Sequence, residues 1–214
     1  MGAQVAPFGC AVLGAADILN YSRVASLIAA GAFVVCADGG LRHCRPLNLT
    51  PDLVVGDFDS LATPAPDGTT RIPLSVDKDY TDSFHAAQTA AERGYTRLLL
   101  AGMLGGRLDH TLANLQLLAL LAQQSADCLL TDGGTDAYAL SGGGELCLPA
   151  RKGCYFSVLA LEQCENLSII GGKYPLEGYT LRCDDPRAIS NEFVGADVRI
   201  RISAGVAVAV STPI

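Results

Sequence analysis

The 214-residue chain contains no tryptophan, and aromatic side chains make up only 6% of it, so its core has to be built from aliphatic residues. No uninterrupted apolar run approaches the ~20 residues that a bilayer-spanning helix requires. Basic residues are also in short supply. Fifteen Lys and Arg against 22 Asp and Glu leave a formal net charge of -7, which argues against nucleic acid or an anionic membrane held by a general basic field. Met1-Gly2-Ala3-Gln4 carries no basic region ahead of its apolar residues and does not read as a signal peptide, so a cytoplasmic location is expected. The eight cysteines include no C-x-x-C pair, and Cys10, Cys36 and Cys128 fall in apolar, strand-like segments. Reduced, mostly structural thiols follow. The phosphate cradles G-x-x-x-x-G-K-[ST] and G-x-G-x-x-G are both missing.

Half of the residues are hydrophobic and 17% are charged, a globular composition long enough for one large or two small domains. Residues 8–13, 33–37, 53–55, 71–76, 97–101 and 127–131 read as strands. Between them, residues 22–30 read as a helix stopped by Gly31. An alanine-rich helix follows Thr81 and Asp82, either of which can cap it, with Phe84, Ala87 and Ala91 toward the core and Gly94 at its end. Residues 112–122 predict a third helix, greasy on most faces and hence buried, with Asn114 as its lone early polar residue. Strand-helix alternation predicts an α/β domain over residues 1–132, a mostly parallel sheet with flanking helices. From Gly133 onward the pattern changes to short alternating runs separated by Gly, Pro and Asn turns. That pattern predicts an all-β sandwich or barrel over residues 133–214.

The charged residues of the first half gather where strands end. Leu53-Val54-Val55 runs into Gly56-Asp57-Phe58-Asp59-Ser60, and residues 33–37 run into Asp38-Gly39-Gly40. Asp77-Lys78-Asp79-Tyr80-Thr81-Asp82 precedes the alanine-rich helix, and Gly105-Gly106-Arg107-Leu108-Asp109-His110 follows residues 97–101. Ligands of open α/β sheets collect beyond the carboxyl ends of the strands, so these four clusters converge on one edge. If the chain stays extended past Gly56, Asp57 and Asp59 face the same side and reach one hard cation. A solvated turn accounts for Gly and Asp equally well, and Asp82 also suits a helix start. Taken together, however, the acids exceed what caps and turns need. Carboxylates without His-Cys ligation suit Mg²⁺, and Mg²⁺ suits nucleotide phosphates. Arg107, preceded by two glycines, suits bidentate phosphate contact.

With those clusters in order, the sequence resembles bacterial thiamine pyrophosphokinases, which move a pyrophosphoryl group from ATP to thiamine and release AMP. Two further pieces in the second half carry the resemblance, Lys173-Tyr174-Pro175-Leu176 and Ile189-Ser190-Asn191-Glu192. The resemblance implies Mg²⁺ and phosphates handled by Asp38, Asp57, Asp59 and Asp82, with Thr81 beside them. It places Lys78, Asp79, Arg107, Asp109 and His110 around ATP, and Asp82, Ser190 and Asn191 at thiamine. Asp57, Asp59, Asp82 and Arg107 are the catalytic candidates, with Asp82 first and Asp59 second as acceptor of the thiamine proton. A homodimer with active sites between subunits is implied as well. Some relatives set a tryptophan beside the thiamine rings. Here Tyr174, Tyr179 and Phe193 are the aromatic candidates instead. The metal site says little about the acceptor, which leaves transfer to another hydroxymethyl heterocycle such as a pterin. A Mg²⁺-nucleotide-binding dimer that senses without transferring is the non-enzymatic alternative.

Overall fold

Leu53, Val54 and Val55 are all fully buried, which happens when a strand is covered on both faces, the usual condition of a parallel sheet. The computed structural model describes residues 6–58, 65–75 and 79–214. One unit comprises Pro7–Leu117 and Ala126–Gly134, and the other includes Thr135–Ile214 with Leu118–Ser125.

In the first unit, β1 (Phe8–Leu13), β2 (Ile28–Ala37), β3 (Leu53–Gly56), β4 (Thr70–Pro73), β5 (Arg97–Ala101) and β6 (Asp127–Thr131) run in the order β6-β5-β1-β2-β3-β4. Every pairing among them is parallel. The chain winds outward from β1 to β4 and then returns to the other side of β1. The strand order therefore reverses between β1 and β5, the kind of switch point where α/β sheets bind ligands. Glycine brings these two strand ends close together: a Cβ on Gly14 would lie 2.6 Å from the Gly102 carbonyl oxygen, and one on Gly102 would lie 2.5 Å from that of Gly14.

Three helix expectations are corrected. The first helix, α1 (Tyr21–Ser26), is shorter than residues 22–30. Its cap is Asn20, whose side chain accepts from Arg23 N at 3.0 Å. β2 already begins at Ile28, and Gly31 sits inside it at φ 73°. Pairing with β1 jumps there from Phe8↔Ile28 to Cys10↔Phe33, so Gly31 serves a bulge and not a helix stop. The short α2 (Cys44–Leu47) precedes β3. In α3 (Asp82–Glu92) the buried residues are Ala86, Ala87 and Ala90, while Phe84 is half-buried and stacks on Tyr80 at 4.3 Å between ring centroids. α4 (Leu108–Gln123) starts four residues earlier than its apolar run suggests. Leu108 and Leu112 are exposed, so its first turns are not buried all round.

The second unit holds β7 (Asp136–Ser141), β8 (Glu145–Leu148), β9 (Cys154–Ala160), β10 (Cys164–Ile170), β11 (Leu176–Leu181), β12 (Asn191–Glu192), β13 (Val198–Arg201) and β14 (Val206–Pro213). They form two antiparallel sets, β12-β9-β14-β7 and β11-β10-β13-β8. Burial alternates along β9 and β13, which is how a strand with one covered face looks. All eight cysteines are free, and six are buried. No helix among the described residues is long and apolar enough to cross a membrane.

Candidate active site

The end of β2 lies against the end of β3. Ala37 pairs with Val55, so Asp38 falls opposite Gly56. A Cβ on Gly56 would lie 2.9 Å from the Asp38 Cβ, and only glycine at this position leaves room for the carboxylate-bearing residue. Asp38 itself has φ 42° and opens a 3-10 turn, Asp38–His43. Left-handed backbone is costly for a residue with a Cβ, and strain of this kind persists where the surroundings impose it. Gly40 supplies part of that constraint, since a Cβ there would lie 1.9 Å from the Leu13 carbonyl oxygen. The turn is thus pressed onto the end of β1.

Asp57 is half-buried just beyond β3. The extended path does not continue past it, because Phe58 adopts φ 63°. The condition that would put Asp57 and Asp59 on one face is therefore not met. Asp59, Asp77 and Lys78 lie outside the described residues.

A cavity of about 510 Å³ opens at the switch point. Its walls include Ala15 and Ala16 after β1, Asp38 after β2, Gly102 after β5, Asp82 of α3 and His110 of α4. Asp79 and Thr81 also face it. Thr81 is the helix cap, accepting from Phe84 N at 3.2 Å, so its hydroxyl oxygen is already engaged while Asp82 enters the first turn. Asn114 is buried and donates from Nδ2 to the Met103 carbonyl oxygen at 2.8 Å. It anchors α4 to the chain leaving β5, which explains the lone polar residue of that helix.

Arg107 does not line this cavity. It pairs with Asp109 through Nη2–Oδ2 at 2.6 Å and Nε–Oδ1 at 3.1 Å, with both side chains exposed. The guanidinium beside it, together with the His110 N–H, holds the Asp109 carboxyl down at about 2. Its planar fork is thus presented at the mouth of α4 by a partner two residues away.

Among the described residues, no three His, Cys, Asp or Glu side chains stand close enough together to hold a metal ion. Mg²⁺ does not require three, because it keeps several waters and is usually held by one or two carboxylates plus substrate phosphate oxygens. Asp38 and Asp82 facing one cavity supply hard oxygen donors of that kind. The donor set fits Mg²⁺ held jointly with a phosphate chain.

In the second unit the two motifs singled out in the sequence meet. Lys173 N donates to the Glu192 carbonyl oxygen at 3.0 Å, and Lys173 Nζ pairs with Glu192 Oε1 at 2.6 Å. Asn191 is 3% exposed. Its Oδ1 accepts from Tyr174 N at 2.9 Å and from Glu192 N at 2.9 Å, while Nδ2 donates to the Tyr174 carbonyl oxygen at 2.7 Å. Its side chain is spent on positioning Tyr174. Ser190 is exposed at φ 58° and donates its N–H to Ser157 Oγ at 3.0 Å. Of the aromatic candidates, Phe193 packs on Phe156 at 4.9 Å. Tyr179 is half-buried and donates to Asp185 at 2.5 Å. Tyr174 is 56% exposed.

Ala15, Ala16 and Gly102 line the cavity without having been singled out as site residues from the sequence. Gly14 and Gly102 punctuating the ends of apolar strands were the available signal, whereas the small residues beside them carried none.

A parallel sheet with a cavity at its switch point, faced by Asp38, Asp79 and Asp82, places the chain in the class of α/β proteins that bind a ligand beyond the strand ends. Comparison with known proteins narrows that class. Residues 24–130 match the thiamin pyrophosphokinase catalytic domain and residues 145–207 match the thiamin pyrophosphokinase vitamin B1 binding domain. The chain belongs to the thiamin pyrophosphokinase family. It is 26% identical over 165 residues to Thiamin pyrophosphokinase 1 of Caenorhabditis elegans, covering 72% of this chain and 67% of that protein. The fold matches thiamine pyrophosphokinase of Bacillus subtilis with a TM-score of 0.83 and 20% identity, over 96% of this chain and 99% of the other. Thiamin pyrophosphokinase of Geobacillus thermodenitrificans superposes with a TM-score of 0.79 and 24% identity, over 96% and 97% of the two chains.

Proposed function

We propose that Asp38, Asp57 and Asp82, with Arg107 at the rim, form the ATP-binding half of a thiamine diphosphokinase that transfers pyrophosphate from ATP to thiamine and releases AMP. The observation that carries the reading is that all four fall inside the matched catalytic segment, residues 24–130. The match of residues 145–207 to a vitamin B1 binding domain favours thiamine over another hydroxymethyl heterocycle.

The thiamine hydroxyl oxygen attacks the β-phosphorus. The bond from that phosphorus to the α,β-bridging oxygen breaks, and AMP leaves with the oxygen. Such transfers depend mainly on positioning and on charge neutralisation. Bound Mg²⁺ supplies neutralisation at the phosphate oxygens. Asp38 and Asp57, which follow the paired strands β2 and β3, are our metal-holding pair, with Asp59 and Asp82 completing the set. Arg107, Lys78, Asp79, Thr81, Asp109 and His110 orient the nucleotide. Asp82, which faces the cavity from the first turn of α3, is our acceptor for the hydroxyl proton.

We assign residues 133–214 to thiamine binding and dimerisation, with the two antiparallel sheets as faces of a β-sandwich. Tyr174 is the exposed aromatic surface for the thiamine rings, and Ser190 and Asn191 frame it. The active unit is a cytoplasmic homodimer with composite sites. Incubating the protein with ATP, Mg²⁺ and a panel of hydroxyl acceptors tests the reading. Thiamine diphosphate and AMP are the expected products, and preference for a pterin acceptor would overturn it.

A further inference from the structure

His43 is completely buried and belongs to no motif of the family resemblance. Its Nε2 lies 2.9 Å from the Ala16 carbonyl oxygen and its Nδ1 lies 2.7 Å from the Tyr21 hydroxyl. A carbonyl only accepts, so Nε2 carries the proton and Nδ1 accepts from the phenol. Burial pushes the imidazole pKa down, and the nearby Arg42 charge acts in the same direction against the opposing Ala16 hydrogen bond. The neutral ring with this tautomer satisfies both neighbours.

The contact continues on the far side. Ala16 N donates to the Gly102 carbonyl oxygen at 2.8 Å. A Cβ on Gly102 would come within 3.1 Å of His43 Nε2 and 3.0 Å of the Ala16 carbonyl oxygen. One line of hydrogen bonds therefore runs from α1 through the end of the 3-10 turn to the loops after β1 and β5. The start of that turn, Asp38, and both loops form cavity wall. Of the loop residues that face the cavity, Ala15, Ala16 and Gly102 have no polar side chain, so around Ala16 the wall keeps its shape through backbone hydrogen bonds.

We propose that the His43 imidazole and the Tyr21 hydroxyl are positioning residues that fix the backbone floor of the nucleotide cavity, so that losing them weakens ATP binding and leaves thiamine use unchanged. The inference rests on reading this cavity as the ATP site. Neither side chain lines the cavity. Each acts through the Ala16 backbone, and small misplacements of a positioning frame are enough to weaken a site.

Calorimetry of Mg-ATP binding without thiamine, alongside steady-state kinetics, tests the proposal. His43→Leu removes both hydrogen bonds, Tyr21→Phe removes only the outer one, and His43→Gln keeps an N–H for Ala16. The expected rise in Kd for Mg-ATP is roughly tenfold for His43→Leu and about threefold for Tyr21→Phe, with His43→Gln within about twofold of the natural protein. The KM for thiamine should not move in Tyr21→Phe. Unchanged ATP binding in His43→Leu and Tyr21→Phe, whatever their melting temperatures, overturns the relay. Should His43→Leu fail to fold, Tyr21→Phe decides alone by the same criterion. Asp38→Asn separates the two levels. If it weakens Mg-ATP binding while the relay variants do not, the cavity reading stands and the relay falls. If Asp38→Asn is silent as well, the cavity reading is wrong and the relay goes with it.

Discussion

Asp38 is held in left-handed backbone at the end of β2 by two glycines that leave no room for a Cβ. A residue kept there against its conformational preference is better explained by ligand binding than by packing. Asp38→Asn and Asp57→Asn should each abolish transfer while leaving circular dichroism unchanged and the melting temperature equal or higher, since removing like charge from a site often stabilises it. Near-normal turnover at low Mg²⁺ in either variant would remove that carboxylate from the metal site. Arg107 makes a different prediction. Its fork on Asp109 depresses that carboxyl to about 2, so the pair is intact above the ordinary carboxylate range and is lost only as pH falls toward that value. NMR titration should find Asp109 titrating well below free aspartate, and Arg107→Lys should return it toward the ordinary value, because a point charge does not reproduce two parallel contacts. The same substitution should raise the KM for ATP. Both side chains are exposed, so the effect belongs to binding and not to stability.

At the scale of elements, the buried Asn191 amide ties the Tyr174 backbone to β12, beside the two Lys173–Glu192 contacts. Asn191→Ala would leave the Tyr174 N–H and carbonyl without their partner, a loss of about 1–3 kcal/mol, read as a lower urea midpoint. The KM for thiamine should rise with it while ATP binding stays constant. An unchanged thiamine KM would detach this hairpin from the acceptor site. Much at this scale was readable in advance. Five of the six strands in the first unit follow from short apolar runs, whereas β4 (Thr70–Pro73) is a mostly exposed edge segment that ends earlier than residues 71–76 suggested. What escaped was geometry set by single backbone angles. Gly31 looks like a helix stop in sequence but makes a bulge in β2, and Phe58 turns the chain where alternation would have carried it straight. α4 begins at Leu108 although its apolar period starts later, because helix propensity and the early Asp109 extend it through an exposed turn. Strand order was also beyond the sequence. Nothing in residues 8–13 or 97–101 announces that they are neighbours, so the four clusters could be placed on one edge without showing that the cavity opens between the ends of β1 and β5.

For the whole molecule, the proposed composite site makes a prediction about pairs of chains. Mixing an Asp57→Asn homodimer with one carrying disabled Ser190 and Asn191 should restore part of the activity through hybrids with one intact site. No rescue, with subunit exchange confirmed by mass, would mean that each site is built within one chain. On the proposed function, the α/β unit delivers pyrophosphate, and not a single phosphoryl group, to thiamine. The most direct measurement uses ATP labelled at the β-phosphate, with thiamine and Mg²⁺. Label should appear in thiamine diphosphate in step with AMP release, and Asp57→Asn should eliminate both. Label retained in ADP, with thiamine monophosphate as the product, would contradict the proposed function.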